Sequence, residues 1–354
     1  MMKNIFGEQG ELQSVFVNEE ILLPQYLPEE ISHREKEMEI IASSIKPLIK
    51  KKTPENLFIF GASGIGKTTC IKNILKQLKS YTSAIIPVYV NCWENNTQLA
   101  VYNRILEELR LPIPRRGLAT DEVFDKIMSY LRAEDKRILI ILDDMDGVKQ
   151  NEELLFVLGR ANEKGVYFGI VGVSNEKMLL AKLDTRVRSS LRFVELEYKD
   201  YSEEQLVQIL TKRAQMALKN GSFDQRIILK IARSVEKGSA RVAIERLWRS
   251  ARKAEKEGRD KIMLQDLEDL IEEESKFKNE ELALTEKEKQ IIEIIKNEKE
   301  IESGALYEKL ESKMQLSKRM IRNYIEELIR KKVIVAWEID GEGMLKSRKF
   351  SLAK

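Results

Sequence analysis

The 354-residue sequence holds two cysteines, one histidine and no long hydrophobic run. Each scarcity removes a class of protein. Cys70 and Cys92 cannot build a disulfide framework or a cysteine metal cluster, and they suit a reducing interior. His33, the only histidine, cannot form a metal site without partners. No apolar stretch approaches the ~20 residues of a membrane span. The first residues, MMKNIFGEQGEL, lack the apolar core of a signal peptide. A cytoplasmic protein with no membrane partner is therefore expected. Charge of one sign is also scarce. Charged residues make up 34% of the chain, yet the net charge is only +3. Any case for nucleic-acid binding must then be local.

What is present starts at NLFIFGASGIGKTTC, residues 56–70. An apolar run (Leu57, Phe58, Ile59, Phe60) ends at Gly61. The loop Gly61-Ala62-Ser63-Gly64-Ile65-Gly66 follows, and Lys67, Thr68 and Thr69 open a helix. This is G-x-x-x-x-G-K-[ST] with a strand before it and a helix after it. Glycines let the backbone turn its N–H groups inward around a phosphate, and the helix N-terminus adds positive potential. Lys67 would reach the β- and γ-phosphates of ATP or ADP, and Thr68 would ligate Mg²⁺.

Strand-like runs then alternate with helical ones. Ala84–Val90 is apolar and β-rich, and Asp121–Leu131 is helical. Ile138–Leu142 is apolar throughout and ends in Asp143-Asp144. Acids at a strand end downstream of a phosphate loop read as the second half of an NTPase site. Asp143 would hold Mg²⁺ through water, and Asp144 would orient or deprotonate the attacking water. Val166–Val173 is another strand, ending at Ser174-Asn175, and Phe193–Leu196 is a further one. The alternation implies an α/β fold, a parallel sheet with helices on both faces. Upstream, Ser32 and Glu35 have capping-box spacing. From Tyr201 the pattern is all-helical, and Gly238-Ser239-Ala240-Arg241 opens a long helix. We expect domains at 1–200, 201–283 (including an acidic linker) and 284–354.

The last segment reads as a winged helix. Ile321, Ile325 and Leu328 share the buried face of its third helix. Lys318, Arg319, Arg322 and Asn323 lie near that helix's N-terminus, and Arg348 lies on the second wing strand. Residues 313–354 carry eleven Lys/Arg against five Asp/Glu, so the module is locally basic. A duplex would bind there. A winged helix can also serve as a protein-interaction module.

Taken together, these motifs resemble the archaeal replication initiators, AAA+ proteins related to the eukaryotic origin recognition complex and its helicase loader. The resemblance rests on His33-Arg34-Glu35, the phosphate loop, Asn91-Cys92, Pro114-Arg115-Arg116-Gly117, LDDMD, GVSN, LDTRVRSSL and GSAR, in that order. It implies a P-loop AAA+ sheet, an all-helical lid and a C-terminal winged helix. It makes His33, Arg34, Tyr26 and Leu27 the adenine side of the pocket, Asn175 a first sensor and Arg241 a second sensor. Arg186 resembles the arginine finger that completes a neighbour's site, with Arg188 as the alternative. Arg115, Arg116 and Gly117, in an insertion spanning Trp93–Leu131, become DNA contacts. The implied partners are origin duplex DNA, the replicative MCM helicase and further copies or paralogues on DNA. The implied place is the nucleoid.

Three features depart from the family pattern. Asp144 stands where Glu is usual, Ser239 where Asp is usual, and the wing tip Gly341-Glu342-Gly343-Met344 is less basic than usual. Slow hydrolysis acting as a switch is therefore expected. The same parts could serve a transcription or plasmid-maintenance regulator, or a signalling NTPase.

Overall fold

The computed structural model describes residues 14–113, 119–148, 152–282, 285–298, 300–314, 317–331, 333–340 and 346–352. Arg115, Arg116 and Gly117 lie outside the described residues. The chain forms two compact units, 1–270 and 271–354.

The first unit begins with α1 (Glu35–Ile49), β1 (Leu57–Phe60), α2 (Lys67–Tyr81), β2 (Ile85–Asn91), α3 (Gln98–Glu108) and α4 (Thr120–Ala133). It continues with β3 (Arg137–Asp143), α5 (Glu152–Gly159), β4 (Phe168–Ser174), α6 (Thr185–Leu191) and β5 (Val194–Glu197). The strands form one parallel sheet in the order β2-β3-β4-β1-β5. Every residue of β1, β3 and β4 is buried, which explains their unbroken apolar runs. Because all the strands run one way, the segments after β1, β3 and β4 leave the same edge of the sheet. That edge is where ligands bind in such folds. Val101, Tyr102 and Ile105 of α3 and Val123, Phe124 and Ile127 of α4 share a core with Ile138, Ile140 and Leu142 of β3.

The start of α1 differs from the sequence expectation. Its N-cap is Arg34, without a side-chain cap, and Glu35 instead accepts from the His33 N–H at 3.0 Å. His33 has a left-handed φ of 66°, which turns the chain after Ser32 and prevents a Ser32 capping box. Helix α5 lacked a sequence expectation; Leu154, Leu155 and Leu158 bury it in the core.

The lid follows as α7 (Glu203–Ala217), α8 (Gln225–Ser234) and α9 (Ala240–Lys256). Ser202 and Gln205 form both halves of a capping box. Ser239 caps α9 by accepting from the Val242 N–H at 3.4 Å. The segment after residue 14 straps onto the lid. Val17 and Asn18 N–H donate to the Ala217 carbonyl, and Arg213 donates to the Ile21 carbonyl. Helix α10 (Leu264–Leu282) runs across the boundary at residue 270.

The second unit contains α11 (Glu286–Glu298), β6 (Glu300–Glu302), α12 (Ser303–Met314), α13 (Lys318–Arg330), β7 (Ile334–Asp340) and β8 (Lys346–Leu352). Its antiparallel sheet has the order β6-β8-β7. The short strand β6 escaped the sequence pattern because three residues carry too little alternation. Ile291, Ile295, Leu306, Leu310, Ile321, Ile325, Leu328 and Phe350 form its core. No helix among the described residues is long and apolar enough to cross a membrane.

One buried ion pair holds this second core. Glu288, 2% exposed, accepts from Lys331 Nζ at 2.8 Å and from the Thr285 N–H at 2.7 Å. It thus ties α11 to the end of α13. Burial alone would raise its carboxyl pKa, but Lys331 and Thr285 hold it below the ordinary value. The stability it contributes is present above the ordinary carboxylate pKa and is lost as pH falls through the lowered one. Glu288→Gln should destabilise this unit by about 3 kcal/mol. Hydrogen exchange at α11 and α13 amides in the full chain reads that loss; unchanged protection contradicts it.

Candidate functional site

A cavity of about 1160 Å³ opens at the sheet edge, between the phosphate loop, the N-terminal strap and the lid. Ser63, Gly64, Gly66, Lys67, Thr68 and Thr69 line it from the loop side. Asp143, Asp144 and Asn175 come from the ends of β3 and β4, and Arg241 comes from the lid. Apolar side chains also line it, among them Leu22, Tyr26, Ile31, Ile209, Met216 and Trp248.

The loop needs glycine where the lid meets it. Gly64 has a φ of +80°, and a Cβ there would lie 2.2 Å from Ser239 Oγ and 2.9 Å from Arg241 Cβ. The backbones also bond, Arg241 N–H donating to the Gly64 carbonyl at 3.2 Å. The Arg241 guanidinium reaches Ser63 Oγ at 3.4 Å. The first turn of α9 therefore rests on the phosphate loop itself.

Lys67 is 6% exposed. Its ammonium donates to the Gly61 and Ala62 carbonyls at 2.8 and 2.7 Å, and to Asn175 Oδ1 at 2.9 Å. Burial lowers its pKa to about 8, with the Asp143 and Asp144 carboxylates opposing the shift and Arg241 adding to it. Thr68 Oγ1 donates to Asp143 Oδ2 at 2.9 Å. Tyr89 Oη donates to the same oxygen at 2.5 Å, and the Asp144 N–H donates to Asp143 Oδ1 at 3.1 Å.

Asp144 has a left-handed φ of 51°. A short polar side chain tolerates that conformation better than most, which suits Asp at this position. Burial raises its pKa, and Asp143 and Asp146 add to the rise. Asp146 in turn accepts from Ser174 Oγ.

The donor set fits magnesium. Thr68 and Asp143 offer hard oxygens side by side. Among the described residues no group of three His, Cys, Asp or Glu could hold a metal ion. Mg²⁺ characteristically takes few protein ligands and draws the rest from phosphates and water.

Of the residues expected at the adenine side, Tyr26 lines the cavity, whereas His33 and Arg34 do not. Arg34 is 3% exposed and lies behind the loop. Its Nε and Nη2 donate to the Ile65 carbonyl at 3.3 and 3.1 Å, and Nη2 donates to the Lys199 carbonyl at 2.6 Å. Glu37 pairs with it at 2.8 Å, and its guanidinium stacks 4.1 Å from the Tyr201 ring centroid. Arg34 so joins the loop to the segment leading from β5 into the lid. Its place as a loop support, rather than a cavity wall, follows from those three carbonyl bonds.

Arg186, at the start of α6, projects into solvent at 86% side-chain exposure beside Asp184. Arg188 donates to Thr185 Oγ1 at 3.3 Å. In the second unit, Lys318, Arg319, Arg322 and Asn323 are exposed on α13, outside its buried stripe of Ile321, Ile325 and Leu328. Arg348 pairs with Glu326 at 3.0 Å across β8 and α13. Sequence reasoning passed over Tyr89 and Asn73. Tyr89 shares strand parity with Asn91, a signal that was available. Asn73, buried on α2, donates to the Pro28 and Glu29 carbonyls and anchors the strap, which only tertiary structure reveals.

A phosphate loop after β1 of a parallel sheet, acids at the end of β3 with β4 between them, and a helical lid lining the same cavity define an AAA+ nucleotide-binding module. Residues 50–180 match the AAA domain family, and residues 207–270 match the Cdc6 AAA+ ATPase-type lid domain. The chain is 32% identical over 275 residues to an ORC1-type DNA replication protein of Thermococcus kodakarensis. That match covers 74% of this chain and 66% of the relative. An ORC1-type DNA replication protein 2 of Methanosarcina mazei is 29% identical, covering 86% of this chain and 84% of that one. The Aeropyrum pernix ORC1 protein, solved in complex with DNA, superposes with a TM-score of 0.70 at 26% identity, over 95% of this chain and 93% of that one. The chain belongs to the archaeal ORC1/Cdc6 family of AAA+ proteins.

Proposed function

We propose that this protein is an ATP-switched, duplex-binding replication initiator. The observation that carries the switch is the docking of α9 on the phosphate loop through Arg241 and Gly64. A lid resting on the loop responds to what the loop holds. Lys67, Thr68, Thr69 and the loop N–H groups from Gly61 to Gly66 bind the phosphates, and Arg241 contacts the γ-phosphate. Mg²⁺, when bound, neutralises phosphate charge, and Thr68 and Asp143 hold it. Asp144 orients the attacking water, Asn175, bonded to Lys67, acts as the first sensor, and hydrolysis is slow. Arg186, exposed and held near a carboxylate, reaches a neighbouring copy's site.

The second unit acts as a winged helix. The exposed cations of α13 enter the major groove, and Arg348 and the wing touch the flanking backbone. The DNA complex of the Aeropyrum pernix relative supports this reading. Origin marking and loading of the replicative MCM helicase follow as the output, with Arg115, Arg116 and Gly117 as a second DNA contact.

Arg322→Ala tests the DNA reading. It should weaken duplex binding by about tenfold at moderate salt. Wild-type affinity should fall steeply with salt as counterions are released. Unchanged affinity in the variant, or a flat salt response, contradicts the assignment and favours a protein-binding role for this unit.

A further inference from the structure

We propose that Tyr89 is a positioning residue for magnesium: its hydroxyl sets the orientation of the Asp143 carboxylate toward the metal. This rests on the reading of Thr68 and Asp143 as the metal site.

Strand register brings the tyrosine there. β2 and β3 are parallel neighbours, with Asn91 opposite Asp143 and Tyr89 opposite Ile141. Residues two apart share a face, so Tyr89 lies on the Asp143 face, one step back along the strand. A phenol is long enough to span that diagonal, and its hydroxyl donates to Asp143 Oδ2 at 2.5 Å. A lysine also approaches the ring. Lys72 Nζ lies 5.0 Å from its centroid, and Lys72 is one turn beyond Thr68 on α2. The same helix that carries the metal-ligating hydroxyl thus also contacts the tyrosine ring.

The hydrogen-bond inventory shows what this does. A carboxylate offers about four acceptor directions. For Asp143, Thr68 and Tyr89 take two on Oδ2, and the Asp144 N–H takes one on Oδ1. The carboxylate cannot rotate without breaking these bonds. Asp143 lines the cavity, and a metal-bound water would donate to the acceptor position left on Oδ1. Thr68 and Asp144 belong to the phosphate loop and the acidic strand end themselves. Tyr89 is the one donor from outside both, so it can be removed without touching either. Outer partners of metal-binding groups commonly tune metal affinity by 10- to 100-fold.

The test is Tyr89→Phe, which keeps the ring and removes the hydroxyl. Binding of a non-hydrolysable ATP analogue to the full chain is measured in EDTA and across a Mg²⁺ titration, with thermal unfolding in EDTA alongside. We expect the variant to match wild type in EDTA, in both affinity and melting. The Mg²⁺ concentration giving half of the metal-dependent gain should rise about tenfold. Coincident Mg²⁺ titrations overturn the proposal. An affinity loss of equal size in EDTA also overturns it, because the hydroxyl would then serve the fold and not the metal. A wild-type protein whose affinity ignores Mg²⁺ would instead sink the metal-site reading beneath it.

Discussion

Lys67→Ala should raise the dissociation constant for ATP at least about 100-fold, with little loss of folded stability. The reasoning starts from the ammonium's three donors, which go to the Gly61 and Ala62 carbonyls and to Asn175. These are neutral acceptors around a buried charge, and burial has lowered the pKa to about 8. A triphosphate replaces them with anionic oxygens, and charge-assisted bonds of that kind are the strong ones. Removing one partner of a buried, hydrogen-bonded charge pair typically costs 2–5 kcal/mol, so about 3 kcal/mol, or 100-fold, is the expected loss. The free protein loses only a poorly compensated charge, so its melting should stay close to wild type. Retained tight binding would contradict the site assignment.

The same pKa gives a pH signature. A lysine whose folded pKa lies below its ordinary value destabilises the free fold while protonated, and that cost is relieved as pH rises through about 8. Phosphate binding needs the protonated form. ATP affinity should therefore be flat below about pH 7 and weaken above about pH 8, with proton uptake on binding in that upper range. Calorimetry in buffers of different ionisation enthalpy measures the uptake. Its absence above about pH 8 contradicts the lowered pKa.

Arg34→Ala should destabilise the first unit by about 3–5 kcal/mol and lower its melting temperature by about 10 °C. The change strands the Ile65 and Lys199 carbonyls and leaves the Glu37 carboxylate without its guanidinium. It also removes the cation from between the rings of Tyr198 and Tyr201. Arg34→Lys should recover little, because a point charge cannot serve two carbonyls and a ring face as a planar fork does. Nucleotide binding should weaken in both variants, since Ile65 sits inside the phosphate loop. A variant that melts like wild type contradicts this role.

The two arginines nearest the loop show what a sequence can reveal here. The resemblance makes Arg241 a second sensor through the Gly-Ser-Ala-Arg motif, and the side chain stands two residues after the Ser239 cap, on the cavity. The resemblance likewise puts Arg34 on the adenine side of the pocket. Its actual bonds run to residues 31 and 165 positions away, a pairing that no local pattern encodes. Strands β1, β3 and β4 were legible because full burial leaves continuous apolar runs. β6 and α5 were not, the first because three residues carry too little alternation and the second because eight residues span barely two helical turns. Tyr89 illustrates the remaining gap: its strand parity was readable, but its reach to Asp143 depends on the register between two strands separated by α3 and α4.

Footprinting the full chain on intergenic DNA from its own genome, with ATP and separately with ADP, tests most directly whether a nucleotide held at the phosphate loop governs duplex binding. The expected result is protection of discrete, repeated sites, with affinity or protected length differing between the two nucleotides. Uniform weak protection of every fragment, or identical footprints with ATP and ADP, would contradict a nucleotide-switched initiator.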